Sequence, residues 1–312
     1  MIQKTDLSGC HARIAPYIHR TPVLTSSQLN QLVGAELFFK CENFQRIGAF
    51  KMRGAANAVL QLTEEQRKRG VVTHSSGNFA QALALAARNI GVKAYIVMPS
   101  NAPNVKKDAV KGYGGEVIEC EPNVIAREAA AKKVETDKGA VFIHPYDNKD
   151  VIIGQGSACM ELLEEQSLLD AVFTPVGGGG LISGTALAAH FFGKQCLTYG
   201  AEPEQVNDAF RSLKSGKIES NASTNTIADG LRTNLGNLNF PIIQQHVKDI
   251  ITVSEEEITA AMRLIWERMK IVVEPSSAVA FAAVLKEKEK FKYKKVGIIL
   301  SGGNVDLGAL PF

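Results

Sequence analysis

The sequence lacks both a long apolar run and a secretory leader. Its apolar stretches, such as 82–87 and 278–285, are far shorter than the roughly 20 residues that a membrane-spanning helix needs. Residues 1–10 contain no apolar core of a signal peptide. We therefore expect a cytoplasmic protein with no membrane partner.

Cysteine is scarce, and neither sign of charge predominates. The five cysteines include no Cys-x-x-Cys pair, which argues for reduced thiols and against a cysteine zinc site. The 35 basic and 32 acidic residues give a net charge of +3 with no basic block, so we expect no nucleic-acid partner. The six histidines show no HxxxH or HExxH spacing, which leaves no motif for a zinc hydrolase.

Strand-like and helix-like segments alternate through most of the 312 residues, a length that suits two domains. Apolar strands that alternate with helices argue for parallel sheets covered on both faces. The predicted strands are 36–44, 70–76, 93–99, 115–122, 140–145, 171–176, 196–203 and 296–300. The sequence thus predicts an α/β fold with two open, mostly parallel twisted sheets covered by helices. We expect 67–147 to form a small inserted α/β domain, and 1–66 with 148–312 to form a larger one.

Four consecutive glycines, Gly177, Gly178, Gly179 and Gly180, separate the strand 171–176 from a helix. Glycine permits backbone conformations that other residues avoid, and several N–H groups can converge where no Cβ intervenes. At the N-terminus of a helix such a loop forms an anion site. No Gly-Lys-Ser/Thr follows, so the loop is not a P-loop. We expect a cradle for a phosphate ester, with a flexible turn as the plainer alternative.

Two other predicted strands also end in small and polar residues. The loop SSGN at 75–78 precedes a helix, and the loop SGGN at 301–304 follows a buried strand. Open α/β sheets bind ligands beyond the carboxyl ends of their strands. We therefore expect these two loops and the glycine loop to converge. For 75–78 alone, a plain helix cap is the favoured interpretation.

Lys51 lies in the segment GAFKMRGA, which runs from 48 to 55. An isolated lysine at the start of a helix is usually a solvated charge. Beside a phosphate cradle and helix N-termini, burial and positive dipoles would instead lower the pKa of Lys51. Its amine would then be free to act as a nucleophile.

Taken together, these motifs resemble one family closely, the fold type II pyridoxal-phosphate (PLP) enzymes. The branch is that of serine racemase and the serine/threonine dehydratases, with the tryptophan synthase β-like fold. The segments that carry the resemblance are FQRIGAFKMRGA, SSGNFAQA, PVGGGGLISG, AEP, TIADGL, ERMKIVVEPSSA and SGGNVD. They extend over nearly the whole chain.

The resemblance assigns the cofactor contacts. It implies that Lys51 holds PLP as a Schiff base and acts as the base at Cα, with Phe50 packed against the pyridine ring. Asn78 would hydrogen-bond the phenolic oxygen, the loop 177–180 would hold the phosphate, and Ser301 would lie against the pyridine nitrogen. A hydroxyl there leaves that nitrogen free to stay unprotonated, which disfavours transamination and suits elimination or racemisation.

The resemblance also assigns substrate contacts. Ser75, Ser76, Gly77 and Asn78 would bind the substrate carboxylate. In family members that racemise, a serine at the position of Ser76 lies opposite the lysine and is a second acid/base. The alternative is that Ser76 only hydrogen-bonds the carboxylate.

Two further positions bear on the choice of substrate. Arg127 aligns with an arginine near the mouth of the racemase site and could bind a second carboxylate as a bidentate partner. An exposed helix arginine is an equally good interpretation. Phe79 stands where the family usually has histidine, which makes the pocket more apolar and weakens the case for an acidic substrate.

The segment AEPEQVND resembles the cation site of the racemase branch. Glu202 and Asp208 would supply carboxylate ligands, and Val206 a backbone carbonyl. Such oxygen ligands suit Mg²⁺, Ca²⁺ or Mn²⁺. The alternative is an acidic surface turn.

The sequence thus predicts a PLP-dependent ammonia-lyase that converts L-serine or L-threonine to 2-oxo acid and ammonia, and it leaves serine racemisation open as a second activity. A 3-hydroxyaspartate dehydratase is the alternative within the family. A nucleotide-binding protein without PLP is the alternative of another class. By resemblance we also expect a homodimer.

Overall fold

The computed structural model describes residues 2–312. Its strands are β1 Val23–Leu24, β2 Glu36–Cys41, β3 Val71–His74, β4 Ala94–Pro99, β5 Glu116–Cys120, β6 Val141–Phe142, β7 Ala171–Pro175, β8 Leu197–Pro203, β9 Val247–Val253 and β10 Lys295–Leu300. Its α-helices are α1 Lys4–Ile14, α2 Ser27–Val33, α3 Lys51–Leu60, α4 Glu64–Arg69, α5 Asn78–Asn89, α6 Asn104–Gly112, α7 Val124–Lys138, α8 Lys149–Glu165, α9 Gly180–Phe192, α10 Asp208–Ser215, α11 Asn239–His246, α12 Glu255–Met269 and α13 Pro275–Lys286.

The strands form two sheets. The larger has the order β1-β2-β10-β7-β8-β9, in which only the β1–β2 pair is antiparallel. The smaller has the order β5-β4-β3-β6 and is parallel throughout. The predicted architecture of two mostly parallel sheets covered by helices is confirmed. All strands of the smaller sheet lie between 71 and 142, and the predicted domain boundaries stay a prediction.

Burial on both faces explains the apolar strands. All five residues of β7 are buried, as are the last five of β10. Helix α13 lies on the larger sheet, and helix α12 packs against α13. The buried residues of α12 share one helix face, and they are Ile258, Ala261, Met262 and Ile265. The N-terminus of α12 carries a capping box. Because the Ser254 hydroxyl accepts from the Glu257 N–H at 3.2 Å and the Glu257 carboxylate accepts from the Ser254 N–H at 2.8 Å, the helix begins at a fixed residue.

Two elements have no clear signal in the sequence, the buried helix α8 and the edge strand β9. Helix α8 is buried from Val151 to Leu163, yet Gln155 and Glu161 on its buried surface interrupt the apolar pattern. Strand β9 follows α11 directly, with no glycine or proline between them to mark the boundary. The predicted strand 36–44 ends early because a 3₁₀ turn begins at Glu42. Among residues 2–312, every helix is too short or too polar to cross a bilayer.

Candidate active site

Lys51 is the first residue of α3, and its amine is held inside the protein. The Lys51 Nζ donates to the Pro145 carbonyl oxygen at 3.0 Å. It lies 5.0 Å from the centre of the Phe50 ring and 5.8 Å from that of Phe79. Burial lowers the pKa of Lys51 to about 8, although the Glu274 carboxylate acts in the opposite direction. A substantial fraction of the amine is therefore neutral near physiological pH and able to act as a nucleophile.

The loop before Lys51 is attached to the loop that follows β10. The Phe50 N–H donates to the Ser301 carbonyl at 3.0 Å, and the Gly303 N–H donates to the Gly48 carbonyl at 2.9 Å. Gly48 has a φ of 71°, and a Cβ there would lie 2.7 Å from Oδ1 of Asn304. Only glycine fits this turn without displacing Asn304. The loop 301–304 thus lies in direct contact with the segment that carries Lys51, and Ser301 is nearly buried at the end of β10.

The four glycines connect β7 to α9 as predicted, and the surrounding side chains leave no room for larger residues. Gly179 has a φ of 93°, in the left-handed region. A Cβ at Gly178 would collide with the Tyr146 ring, and one at Gly180 would lie 2.7 Å from the Gln155 Oε1. The first N–H groups of α9 have no acceptor within the helix. Because the loop residues are glycines, no side chain of the loop covers these N–H groups, and the loop fits a phosphate group.

Gln155 is a second indication that the loop holds a polar group. The side chain is fully buried, yet neither its Oε1 nor its Nε2 has a hydrogen-bond partner in the protein. A buried amide without a partner costs about 1–3 kcal/mol, so such groups usually face a ligand or water. The residues present therefore fit a phosphorylated cofactor. Sequence reasoning missed Gln155, because the polar interruptions in its segment hid the buried helix α8 that carries it.

The loop 75–78 lies at the end of β3 and leads into α5. Ser75, Ser76, Gly77 and Asn78 are all half-buried, so a small ligand can reach them. The Gly77 N–H is turned toward the Ser75 Oγ at 3.4 Å. Phe79 is only 2% exposed. Its ring therefore packs into the core beside Lys51 and does not replace the missing imidazole.

Asn78 contacts an acid to which the sequence analysis gave no role. The Asn78 Nδ2 donates to the Glu274 carboxylate at 3.1 Å from Oε1 and 3.3 Å from Oε2. Burial, aided by the negative charge of Asp229, raises the pKa of Glu274 to about 7. Its position before Pro275 at the start of α13 suggests a helix cap, but its side chain caps no N–H of that helix. The only signal was its place in the motif ERMKIVVEPSSA.

Arg127 is half-buried in the first turn of α7, near the imidazoles at the ends of β3 and β6. Burial lowers the pKa of His74, and the positive charge of Arg127 adds to this effect. The His74 and His144 rings are 5.9 Å apart, and the His144 ring is 4.4 Å from that of Tyr146. Burial lowers the pKa of His144 to about 4, so both rings are neutral at physiological pH.

Glu202 and Asp208 lie apart from these loops, at the end of β8 and the start of α10. Both carboxylates are fully buried, as is Val206. The Glu202 carboxylate accepts from the Ala209 and Phe210 N–H groups at 3.1 and 2.8 Å. Burial and the neighbouring Asp208 raise the pKa of Glu202, and burial raises that of Asp208 to about 6. The acidic-surface-turn interpretation is therefore wrong.

The side chains of Glu202 and Asp208 supply too few ligands for a complete cation site. Within residues 2–312 no group of three or more His, Cys, Asp or Glu side chains is arranged to hold a metal. Any cation here would need backbone or water oxygens in addition to the two carboxylates.

Comparisons with known proteins agree with this geometry. A model of the family described as pyridoxal-phosphate dependent enzyme matches residues 14–302. The chain is 52% identical over 309 residues to the serine racemase of Dictyostelium discoideum, covering 98% of this chain and 95% of that protein. It is 50% identical over 307 residues to the beta-hydroxyaspartate dehydratase of Paracoccus denitrificans (strain Pd 1222), covering 98% of each. The crystal structure of a T.th. threonine deaminase matches with a TM-score of 0.93 and 42% identity, covering 98% of this chain and 99% of that one.

Proposed function

The chain belongs to the family of pyridoxal-phosphate dependent enzymes, and from this premise we propose that it eliminates water from L-serine and L-threonine, yielding a 2-oxo acid and ammonia. The observation that carries the proposal is the half-buried Lys51 amine, which has a lowered pKa and lies 5.0 Å from the centre of the Phe50 ring and 5.8 Å from that of Phe79. Family membership sets aside the alternative of a nucleotide-binding protein without PLP.

Five parts of the chain are suited to hold the cofactor. The loop 177–180 would bind its phosphate, and Lys51 would carry it covalently. Asn78 would donate to the phenolic oxygen, Ser301 would face the pyridine nitrogen, and Phe50 would pack on the ring. When bound, PLP withdraws electrons from Cα of the amino acid and so acidifies its proton.

The protein's own groups would then direct the elimination. The neutral Lys51 amine would be suited to remove the proton from Cα, because its pKa lies near physiological pH. The Pro145 carbonyl holds Nζ in place. The N–H and hydroxyl groups of the loop 75–78 would bind the substrate carboxylate, and the buried Phe79 would exclude water.

The test of this function is a panel of serine, threonine and 3-hydroxyaspartate stereoisomers, followed for both 2-oxo acid release and chirality. Release of 2-oxo acid from L-serine and L-threonine is the expected result. The second candidate, a 3-hydroxyaspartate dehydratase, is favoured by the guanidinium of Arg127 near the imidazole of His74. For a 3-hydroxyaspartate dehydratase, turnover of 3-hydroxyaspartate would be far higher than that of serine. Arg127→Met would then lose that preference.

Ser76→Ala is expected to abolish racemisation of serine while leaving L-serine elimination within a few fold of wild type. Ser76 would be the acid/base on the side opposite Lys51, and elimination needs only one of the two groups. General acid–base catalysis contributes about 10²–10⁴-fold, so the loss of racemisation should be of that order. The measurement is chiral chromatography of serine alongside a 2-oxo acid assay.

Ser75→Ala is the matched control for Ser76→Ala, since it removes a neighbouring hydroxyl from the same half-buried loop. We expect it to change KM for both reactions equally. If Ser76→Ala lowers racemisation and elimination by the same factor, Ser76 only binds the carboxylate.

We further propose that Glu202, Asp208 and the Val206 carbonyl bind Mg²⁺, Ca²⁺ or Mn²⁺, with water completing the shell. The support is a pair of fully buried carboxylates, each of which already accepts hydrogen bonds from the protein. A cation would offset the remaining cost of burying their charges. At roughly 100 times Kd the ion should stabilise the fold by about 2.7 kcal/mol, seen as a higher Tm. Asp208→Asn should remove the response, whereas Glu204→Gln, at an exposed acid in the same segment, should keep it. A wild-type Tm that none of the three ions raises would contradict the site.

The homodimer and the cytoplasmic location stay predictions.

A further inference from the structure

We propose that Glu274 and Asn304 are positioning residues that fix the Asn78 side-chain amide, so that one of its N–H bonds stays available to the bound cofactor. This inference rests on the proposed PLP site. It assigns a role to two residues that touch neither the phosphate loop nor the Lys51 amine.

The orientation of the two amides follows from one backbone group, the Ile47 carbonyl. The Asn304 Nδ2 lies 2.7 Å from the Ile47 oxygen and 2.9 Å from the Asn78 Oδ1. A backbone carbonyl cannot donate, so Asn304 must present its NH₂ group to it. The atom of Asn78 that faces this NH₂ group must then be the oxygen. The Asn78 NH₂ group therefore points to the opposite side.

Glu274 is the hydrogen-bond acceptor for the Asn78 NH₂ group on that opposite side. Its carboxylate accepts from the Asn78 Nδ2 at 3.1 and 3.3 Å, and its Oε2 also accepts from the Asn304 N–H at 3.1 Å. One N–H of Asn78 is thus directed at Glu274, and the second N–H is left for another acceptor. Gly302 allows this approach, since a Cβ there would lie 2.8 Å from the Glu274 Oε1.

The same contacts connect Asn78 to the loop that carries Lys51. Ile47 has a φ of 61°, an unusual value for a β-branched residue. The carbonyl of this strained residue is the acceptor for Asn304. A change at Asn304 should therefore move the loop before Lys51 as well as the Asn78 amide.

The charge state of Glu274 gives a measurable signature of this arrangement. Burial and the negative charge of Asp229 raise the pKa of Glu274 to about 7. The hydrogen bonds from Asn78 and Asn304 and the positive charge of Lys106 lower that pKa, but by less. The charge of Glu274 in turn acts on Lys51, whose pKa it raises. Below that pKa the carboxyl is neutral, and above it the carboxylate accepts more strongly from Asn78. The absorbance band of the bound cofactor should therefore change between about pH 6 and pH 8.

Glu274→Gln tests the proposal, because glutamine fills the same space but offers one acceptor oxygen to two donors. With PLP as the probe, we expect Kd for the apoprotein, measured by fluorescence, to rise roughly tenfold, as expected when one buried donor loses its partner. The absorbance change between pH 6 and pH 8 should disappear. Glu257→Gln is the matched control, since the Glu257 carboxylate accepts from the Ser254 N–H in the cap of α12. It should leave both readouts unchanged.

Asn304→Asp is the second variant, and it keeps the proposal testable if Glu274→Gln does not fold. Aspartate cannot donate to the Ile47 carbonyl, so it should raise Kd for PLP by a similar factor. An unchanged Kd and an unchanged pH response in a folded Glu274→Gln or Asn304→Asp protein would overturn the positioning role alone. Absence of any bound-cofactor band in the wild-type protein would overturn the proposed function and this inference together.

Discussion

Lys51→Ala is expected to abolish covalent attachment of PLP and to lower kcat/KM for L-serine elimination by at least about 10³-fold. The Lys51 side chain would supply both the attachment point and the base at Cα, and its amine lies between the Pro145 carbonyl and the Phe50 ring. The measurements are the visible absorbance of the purified protein and a coupled 2-oxo acid assay.

Lys111→Ala is the control for this change. Lys111 lies on the exposed face of α6, where its side chain is 62% exposed, and we expect wild-type absorbance and activity. A second readout is the rate at which the wild-type apoprotein attaches PLP. That rate should rise with pH as the Lys51 amine loses its proton around pH 8, and level off above. Full activity in Lys51→Ala would exclude the proposed mechanism.

Arg53→Met is expected to lower the free energy of unfolding by about 3–5 kcal/mol, the usual cost of breaking a buried ion pair on one side. Arg53 is fully buried two residues after Lys51. Its Nε donates to Glu42 at 2.7 Å, and its Nη2 donates to Glu161 at 2.8 Å. Methionine fills much of the space but leaves the Glu42 carboxylate without a cation. Lys40, at 2.7 Å, still pairs with Glu161.

Urea unfolding followed by fluorescence measures this loss, and Arg20→Met provides the comparison. Arg20 pairs with Glu164 at 2.8 Å, but both side chains are nearly half exposed, so the change should stay within about 1 kcal/mol. A difference of less than about 1 kcal/mol between the two variants would mean that the buried ion pairs contribute no more than a surface pair.

The sequence predicted the parts of the site that depend on local chain geometry. The glycine loop 177–180 follows its strand and precedes its helix as expected, because a run of glycines between a buried strand and a helix has few other structural uses. Lys51 lies at the start of its helix, and the loop 301–304 contacts the loop before it. The roles given to Ser76 and Ser301 stay predictions.

The sequence could not predict the partners that arise from packing. Asn78 and Glu274 are separated by 196 positions, and Arg53 and Glu161 by 108. Spacing along a chain carries no information about such pairs, and a buried acid such as Glu161 looks like a surface residue in composition. For the same reason helix α8, which carries both Glu161 and Gln155, was missed.

The most direct test of the central claim is borohydride reduction of the purified protein followed by peptide mapping with mass spectrometry. Reduction fixes the cofactor on the amine that carries it. The account predicts one PLP adduct, on the peptide that contains Lys51, and none in Lys51→Ala. An adduct on a different lysine, or none in the wild-type protein saturated with PLP, would contradict it.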